Sequence, residues 1–237
     1  MLILFSSHGY ADRAGNFYLI PYDTGPGSEK IFNEKAGILG SVFLTFSLLH
    51  VQWSQIAYMD APLTFFVALA FLFGWRALEK GRLEDFILCG FVGGLAASTK
   101  HQGLITLIWG PLACLLRALR DHQNPVHALG SGKNFLFLTF FFTGFTIGTP
   151  FWLLSFREFL NHLRLNWSWI RPYGQGHIGM QGNWNWFYYF KPSSSYSLGL
   201  PVLVSSLLGT LLAGIRINSR RFFFLSFPVL YFLIAGA

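Results

Sequence analysis

Uncharged stretches long enough to cross a lipid bilayer alternate along this chain with short segments that hold most of its charges. Three predominantly apolar stretches have about 18 or more residues without a formal charge: Ala36–Met59, Asn134–Phe156 and Pro192–Ile215. A helix needs roughly 20 apolar residues to cross the hydrocarbon core, so runs of this length are typical of membrane spans. The pattern predicts an all-α, polytopic membrane helix bundle.

The same alternation predicts about seven spans, which we call A to G. Their approximate limits are 36–58, 60–78, 85–99, 104–119, 134–156, 197–215 and 222–237. The segment 1–35 precedes them and contains Gly25-Pro26-Gly27, which favours irregular structure. We therefore predict an irregular segment at 1–35 and one multi-span domain at 36–237, with a long, aromatic outer loop at 157–195.

Spans C and D are short for this task. Each has an uncharged core of 14 residues, about 21 Å long as an α-helix, against a hydrocarbon core of about 30 Å. Either flanking side chains reach to the membrane surface, or the turn at Lys100 lies below that surface in a protected cavity. In span C, Gly90, Gly93 and Gly94 predict close packing against another helix.

Composition agrees with a membrane protein and argues against a nucleic-acid partner. The chain is 53% hydrophobic and 11% charged, whereas soluble domains average about 25% charged residues. The net charge of +7 does not indicate nucleic-acid binding, because the charges are confined to short connections between apolar runs. Cys89 and Cys114 lie inside apolar runs and are expected to be small core residues rather than disulfide or metal ligands.

Lysine and arginine are concentrated on one side of the predicted topology. Alternate connections hold eleven of them, at 30–35, 76–82, 117–133 and 216–221. The short connections on the other side hold a single one, Lys100. Because basic loops stay in the cytoplasm, we expect Asp60, Lys100 and the loop 157–195 to share the outer face.

Asp60 separates two long apolar runs, and two interpretations of it remain open. With Pro62 just behind it, its carboxylate is well placed to cap the helix of span B. Alternatively it serves as an acid or base at the membrane surface, because on the expected outer face only Glu158 is another carboxylate.

Lys100, His101 and Gln102 interrupt the apolar sequence between spans C and D. A lysine at the end of a span often extends its ammonium group to the interface without any further role. Ionisable residues at membrane depth are nevertheless candidates for function, and a cation there suits a lipid-phosphate headgroup.

The outer loop contains Arg171, His177, several tryptophans and tyrosines, and amides such as Asn183 and Gln181. Such aromatic residues form an ordinary belt at headgroup depth. The mixture of rings and amides also suits sugar binding, with rings stacked on a pyranose and amides bonded to its hydroxyls.

Two stretches together resemble a known group of enzymes. The run from His50 to Phe66, with Tyr58-Met59-Asp60-Ala61-Pro62 at its centre, and the run Gly93–Leu104, with Thr99-Lys100-His101-Gln102, resemble polyprenyl-phosphate-dependent glycosyltransferases of the GT-C fold. This group includes protein O-mannosyltransferases and aminoarabinose transferases. Thr149-Pro150-Phe151 and Ser197–Pro201 also look like family positions, so the resemblance extends from about Phe32 to the end.

The resemblance implies an inverting sugar transfer at the outer face of the membrane. The donor is a polyprenyl-phosphate-linked sugar, and the acceptor is a glycan, lipid or protein. Asp60 is then the catalytic carboxylate, whereas Lys100, His101, Gln102, Arg171 and His177 bind substrate. The protein is expected to be an integral, multi-pass protein of the plasma (inner) membrane.

The chain departs from the family pattern near its start. The family's principal acidic residues follow a first span, and Asp12 and Asp23 lack the corresponding flanking pattern. We expect a member truncated at its N terminus, and an inactive fragment is one outcome that this expectation allows.

Two functions without chemistry stay as alternatives: a transporter or flippase for lipid-linked sugars, and a membrane scaffold. Transporters often carry internal repeats, and no convincing repeat is present in this sequence. The sequence does not require a cofactor. It contains no tight cluster of metal ligands, so we predict no structural metal. Dependence on a divalent metal is left open.

Overall fold

The computed structural model of this protein describes residues 59–173, 200–215 and 217–236. Its elements, in chain order, are α1 (Asp60–Lys80), α2 (Leu83–Thr99), a 3₁₀ helix (His101–Ile108), α3 (Trp109–Arg120), α4 (Pro125–Leu129), α5 (Gly132–Gly148), α6 (Phe151–Leu154), α7 (Phe156–Tyr173), α8 (Leu200–Ile215) and α9 (Ser219–Gly236). Every element in these ranges is helical, which agrees with the predicted all-α class.

Two of the described helical segments are long and apolar enough to cross a membrane, Asp60–Lys80 and His101–Arg120. They correspond to the predicted spans B and D. The helices α2 and α5, which correspond to spans C and E, have 17 residues each, or about 26 Å at 1.5 Å per residue. The total of about seven spans stays a prediction, because span A lies outside the described residues.

The connection between α1 and α2 is a tight reversal that the sequence encodes with glycine. Gly81 has a φ of 63°, a left-handed conformation that costs glycine little, and its N–H donates to the carbonyl of Ala77. The helix α2 then starts with Glu84 and Asp85 in its first turn, where carboxylates are stabilised by the helix dipole. The two helices consequently run antiparallel and side by side.

Glycines let α2 and α5 approach until their backbones touch. A Cβ atom added at Gly94 would lie 2.0 Å from the carbonyl oxygen of Phe141, and one at Gly90 would lie 2.2 Å from that of Phe137. Gly144 on α5 faces the carbonyl oxygen of Phe91 in the same way. This confirms the prediction that the small residues of span C serve close helix packing.

Aromatic side chains fill the space between α1, α3 and α9. Trp109 is fully buried and contacts Phe71 edge to face, with ring centroids 5.3 Å apart. Phe223 of α9 is also fully buried and lies 5.6 Å from Phe71. The two cysteines, Cys89 and Cys114, are free and buried, as expected of core residues.

Basic side chains tie the helix ends together at one end of the bundle, which we call the basic end. Arg220 forms a two-pronged ion pair with Glu79, with N–O distances of 2.9 and 2.8 Å. Arg117 donates to the carbonyls of Leu78 and Glu79, and Lys133 donates to that of Gly81. These residues belong to three of the connections predicted to be cytoplasmic, and the structure gathers them at one end.

One prediction about residues 134–195 needs correction. Span E does not run unbroken to Phe156, because α5 ends at Gly148 and the chain turns at Thr149 and Pro150. Proline explains this difference, since it cannot continue the hydrogen bonding of an α-helix. The first part of the predicted outer loop is helical, as α7, and the loop at 157–195 stays a prediction.

Several predicted features lie outside the described residues. These are the irregular segment 1–35, span A, the first part of the family-like run at His50, and the aromatic segment 174–195.

Candidate functional site

Asp60 is the first residue of α1, and its carboxylate does not cap the helix. The N-cap is Met59, and no side chain caps the helix start with a hydrogen bond. Only the backbone carbonyl of Asp60 takes part in the local turn, by accepting a hydrogen bond of 2.7 Å from the Thr64 hydroxyl. The capping interpretation of Asp60 is therefore wrong, and the carboxylate is directed elsewhere.

The partner of that carboxylate is Lys100, which lies forty positions along the chain. Lys100 Nζ donates to Asp60 Oδ1 at 2.7 Å. The side chains are partly shielded, with 27% of Lys100 and 36% of Asp60 exposed. The structure thus brings together two residues that the sequence proposed for one site.

The backbone between α2 and the 3₁₀ helix positions Lys100. It is the C-cap of α2, with an extended conformation of φ −157° and ψ 142°, and its N–H donates to the carbonyl of Ala96. Gly103, three residues after Lys100, lies so close to α2 that an added Cβ would be 2.2 Å from the carbonyl oxygen of Ala96. The chain therefore turns sharply at Lys100, which directs its side chain across to the start of α1.

His101 and Gln102 are the first two residues of the 3₁₀ helix and directly follow Lys100 in the chain. His101 is exposed and Gln102 is partly buried. Four of the six predicted site residues, Asp60, Lys100, His101 and Gln102, therefore lie at this end of the bundle.

The other two predicted substrate-binding residues are Arg171 and His177. Arg171 is in the C-terminal half of α7, and His177 lies outside the described residues. Their assignment stays a prediction.

The break in span E lies next to the same end of the bundle, and the sequence analysis did not anticipate this. Thr149 Oγ1 donates to the carbonyl of Ser98 at 3.4 Å, two residues before Lys100. Behind the break, Trp152 Nε1 donates to Thr146 Oγ1 at 3.0 Å. The family-like run Thr149-Pro150-Phe151 contains the sequence signal for this break, its proline.

The two ends of the described bundle differ in charge. Asp60 and Lys100 form an ion pair at one end, whereas Glu79, Arg117 and Arg220 are among the charged residues at the basic end. An ion pair that is partly shielded from water interacts more strongly than one in bulk water, because the surrounding dielectric is lower. The pair places a cation suited to a phosphate beside a carboxylate suited to proton transfer.

No group of three histidine, cysteine, aspartate or glutamate residues that could hold a metal ion occurs in the ranges that the structure describes. The expectation of no structural metal stays a prediction, and metal dependence stays open.

Residues 28–145, just under half of the chain, match the family model described as dolichyl-phosphate-mannose-protein mannosyltransferase. No curated protein and no solved structure matched the chain. The matched segment contains Asp60, Lys100, His101 and Gln102, whereas Arg171 and His177 follow it. The family is integral to membranes, and the match supports a glycosyltransferase of the GT-C type.

Proposed function

We propose, on the premise of this family match, that the chain transfers a sugar from a polyprenyl-phosphate donor to an acceptor hydroxyl at the membrane surface. The acceptor belongs to a glycan, a lipid or a protein. The observation that carries the proposal is the contact of 2.7 Å between Lys100 Nζ and Asp60 Oδ1, two residues inside the matched segment. The outer membrane face and the plasma membrane location are part of this proposal.

The reaction needs two kinds of group, and the pair offers both. The acceptor oxygen attacks the anomeric carbon, the bond from that carbon to the phosphate oxygen breaks, and the lipid phosphate leaves with the electron pair. The acceptor proton passes to a carboxylate, the role that we assign to Asp60. Cationic N–H donors stabilise the negative charge that develops on the leaving phosphate, the role that we assign to Lys100.

The ion pair also prepares Lys100 for a phosphate. Lys100 Nζ donates a hydrogen bond of 2.7 Å to Asp60 Oδ1 in the described arrangement. Asp60 thereby holds the lysine in one orientation, which lowers the conformational entropy that phosphate binding would cost. We further propose that His101, Gln102, Arg171 and His177 contribute to binding of the headgroup and the sugar.

The direct test measures sugar transfer by the purified chain in lipid vesicles, with polyprenyl-phosphate mannose as donor and acceptor peptides, glycans or lipids. Asp60→Asn and Lys100→Ala are expected to lower transfer by about a hundredfold or more, as loss of a general base or of a phosphate contact does in other enzymes. Glu79→Gln is the matched control, because it removes an ion pair of similar length at the basic end. A new glycosidic product separates transfer from mere transport of the lipid-linked sugar.

A charge swap separates chemistry from structural stabilisation. Asp60→Lys combined with Lys100→Asp retains an ion pair at this position but exchanges the places of cation and carboxylate. We expect the swap to recover thermal stability and not to recover transfer or donor binding. Normal turnover in Asp60→Asn and Lys100→Ala would remove the site assignment. If the unchanged chain showed no donor binding and no transfer, the proposed function would be overturned.

A further inference from the structure

The helix α7 and the segment before it expose large apolar side chains. Phe151 and Leu154 are 71% and 77% exposed, and Phe156 at the start of α7 is 52% exposed. Leu163, two turns further along α7, is also exposed. This surface follows directly on α5, a helix of the described bundle.

The apolar residues of α7 lie on one side of the helix. At about 100° per residue, Phe156, Phe159, Leu160 and Leu163 fall within an arc of roughly 100°. Leu165 lies on the opposite side, about 170° from the centre of the arc. An apolar stripe of this width is typical of a helix that rests on an apolar phase.

The charges of α7 are distributed unevenly around this stripe. Arg157 and Arg164, both exposed, are seven positions apart and therefore lie within about 20° of each other, along one edge of the stripe. Glu158 lies nearly opposite the stripe, about 150° from its centre. In sequence, Arg171 continues the seven-residue spacing.

Aromatic contacts fix the start of α7 at the end of the bundle that holds the Asp60–Lys100 pair. Phe159 packs against Phe145 of α5, with ring centroids 6.1 Å apart, and against Trp152 at 6.4 Å. The break between these helices lies beside Ser98, as described above. The helix α7 therefore leaves the bundle at the level at which the bundle would emerge from a membrane.

We infer that α7 lies in the membrane interface and binds anionic phospholipid headgroups through Arg157 and Arg164. The stripe of Phe156 and Leu163 rests at the boundary between headgroups and acyl chains, as in other interfacial amphipathic helices. Arginines at the edge of such a stripe reach the phosphate level while their stems stay on the apolar surface. Glu158, the only acidic residue of α7, lies on the side of the helix away from that surface.

The inference does not depend on the sugar-transfer reaction, and its test uses the whole chain. Leu163→Cys and Leu165→Cys each receive a spin label in vesicles of phosphatidylcholine, with or without phosphatidylglycerol. Cys89 and Cys114 are buried, and the unsubstituted chain corrects for any label that they take up. Accessibility to oxygen and to a nickel chelate then reports the depth of each label.

We expect the label at position 163 to be shielded from nickel, and more so with phosphatidylglycerol, whereas the label at 165 stays accessible. Arg157→Glu with Arg164→Glu should lower the ratio of lipid-buried to water-exposed label by about fivefold per arginine. Arg82→Glu is the control, because Arg82 is an exposed arginine at the basic end.

Three results would overturn the inference. One is equal nickel accessibility at 163 and 165, and another is the same depth with and without phosphatidylglycerol. The third is spin–spin broadening at position 163, which would show that a second copy of the chain covers this face.

Discussion

At the scale of single residues, two ion pairs join α1 to α2, one near each end of the helices. Lys100 and Asp60 form the partly exposed pair at the site. Towards the basic end, Arg76 Nε lies 2.8 Å from Asp85 Oδ1, and the Asp85 side chain is only 1% exposed. We assign the first pair to chemistry and the second to stability, because a buried charge that loses its partner is costly.

Asp85→Ala is expected to destabilise the chain by about 1–3 kcal/mol, since it leaves the partly buried Arg76 without its counter-charge. Asp121→Ala is the control, because Asp121 is 38% exposed and its pairs with Arg117 and Arg120 are longer. The control should cost less than about 1 kcal/mol. Thermal unfolding in detergent micelles measures both changes, and equal losses would contradict the assignment.

Sequence patterns drew attention to the two residues that the structure pairs, but they did not predict the contact between them. Asp60 and Lys100 stood out because each is a lone charge between apolar runs. Nothing local to Asp60 excluded the capping role, since an aspartate before a proline suits an N-cap equally well. The turn at Lys100, which depends on packing between α2 and the 3₁₀ helix, brings the ammonium group to the Asp60 carboxylate, and the acid–base role of Asp60 stays a proposal.

At the scale of elements, the 3₁₀ helix explains why span D is longer than an α-helix with the same number of residues. It has eight residues, longer than the usual run of three or four. The Thr106 hydroxyl bonds to the carbonyls of Gly103 and Gly93, which links this tighter winding to α2. With a rise of about 2.0 Å per 3₁₀ residue, the 14-residue core of span D lengthens from about 21 to about 24 Å.

The contact between α2 and α5 gives a prediction at this scale. Gly94→Ala should destabilise the chain by about 1–3 kcal/mol, because its Cβ would lie 2.0 Å from the carbonyl oxygen of Phe141. Gly209→Ala in α8 is the matched control, since a Cβ there meets nothing within 4 Å. Alanine favours a helix by up to about 1 kcal/mol over glycine, so the control should be neutral or stabilising.

Thermal unfolding of the two glycine variants under identical conditions decides this prediction. A Gly94→Ala chain as stable as Gly209→Ala would show that the helices can separate without loss. The close contact between α2 and α5 would then not contribute to stability.

The helix α7 was hidden from the sequence analysis for a physical reason. Its stripe of Phe156, Phe159 and Leu163 has helical spacing, but it is interrupted by charges and directly follows an apolar run. Apolar periodicity of this kind is weak beside the strong signal of uninterrupted spans. The sequence pattern of this segment therefore did not distinguish a loop from an amphipathic helix, and the break at Pro150 separates the segment from span E.

At the scale of the whole molecule, the described bundle is polarised. Arg117, Lys133 and Arg220 bind carbonyls and carboxylates at the basic end, and the Asp60–Lys100 pair lies at the opposite end. Alternation of apolar and charged segments predicted this polarity, because each span reverses the chain direction. Which face of a membrane each end of the bundle meets stays a prediction from the distribution of lysine and arginine.

The most direct measurement is photo-crosslinking of the chain in vesicles with a polyprenyl phosphate that carries a photoreactive sugar headgroup. The labelled residues are mapped by mass spectrometry, with unlabelled polyprenyl-phosphate sugar as competitor. If the pair marks the donor site, competable labels will fall within residues 59–64 and 98–108. Competable labels concentrated at the basic end, within 76–85 or 117–133, would contradict this account.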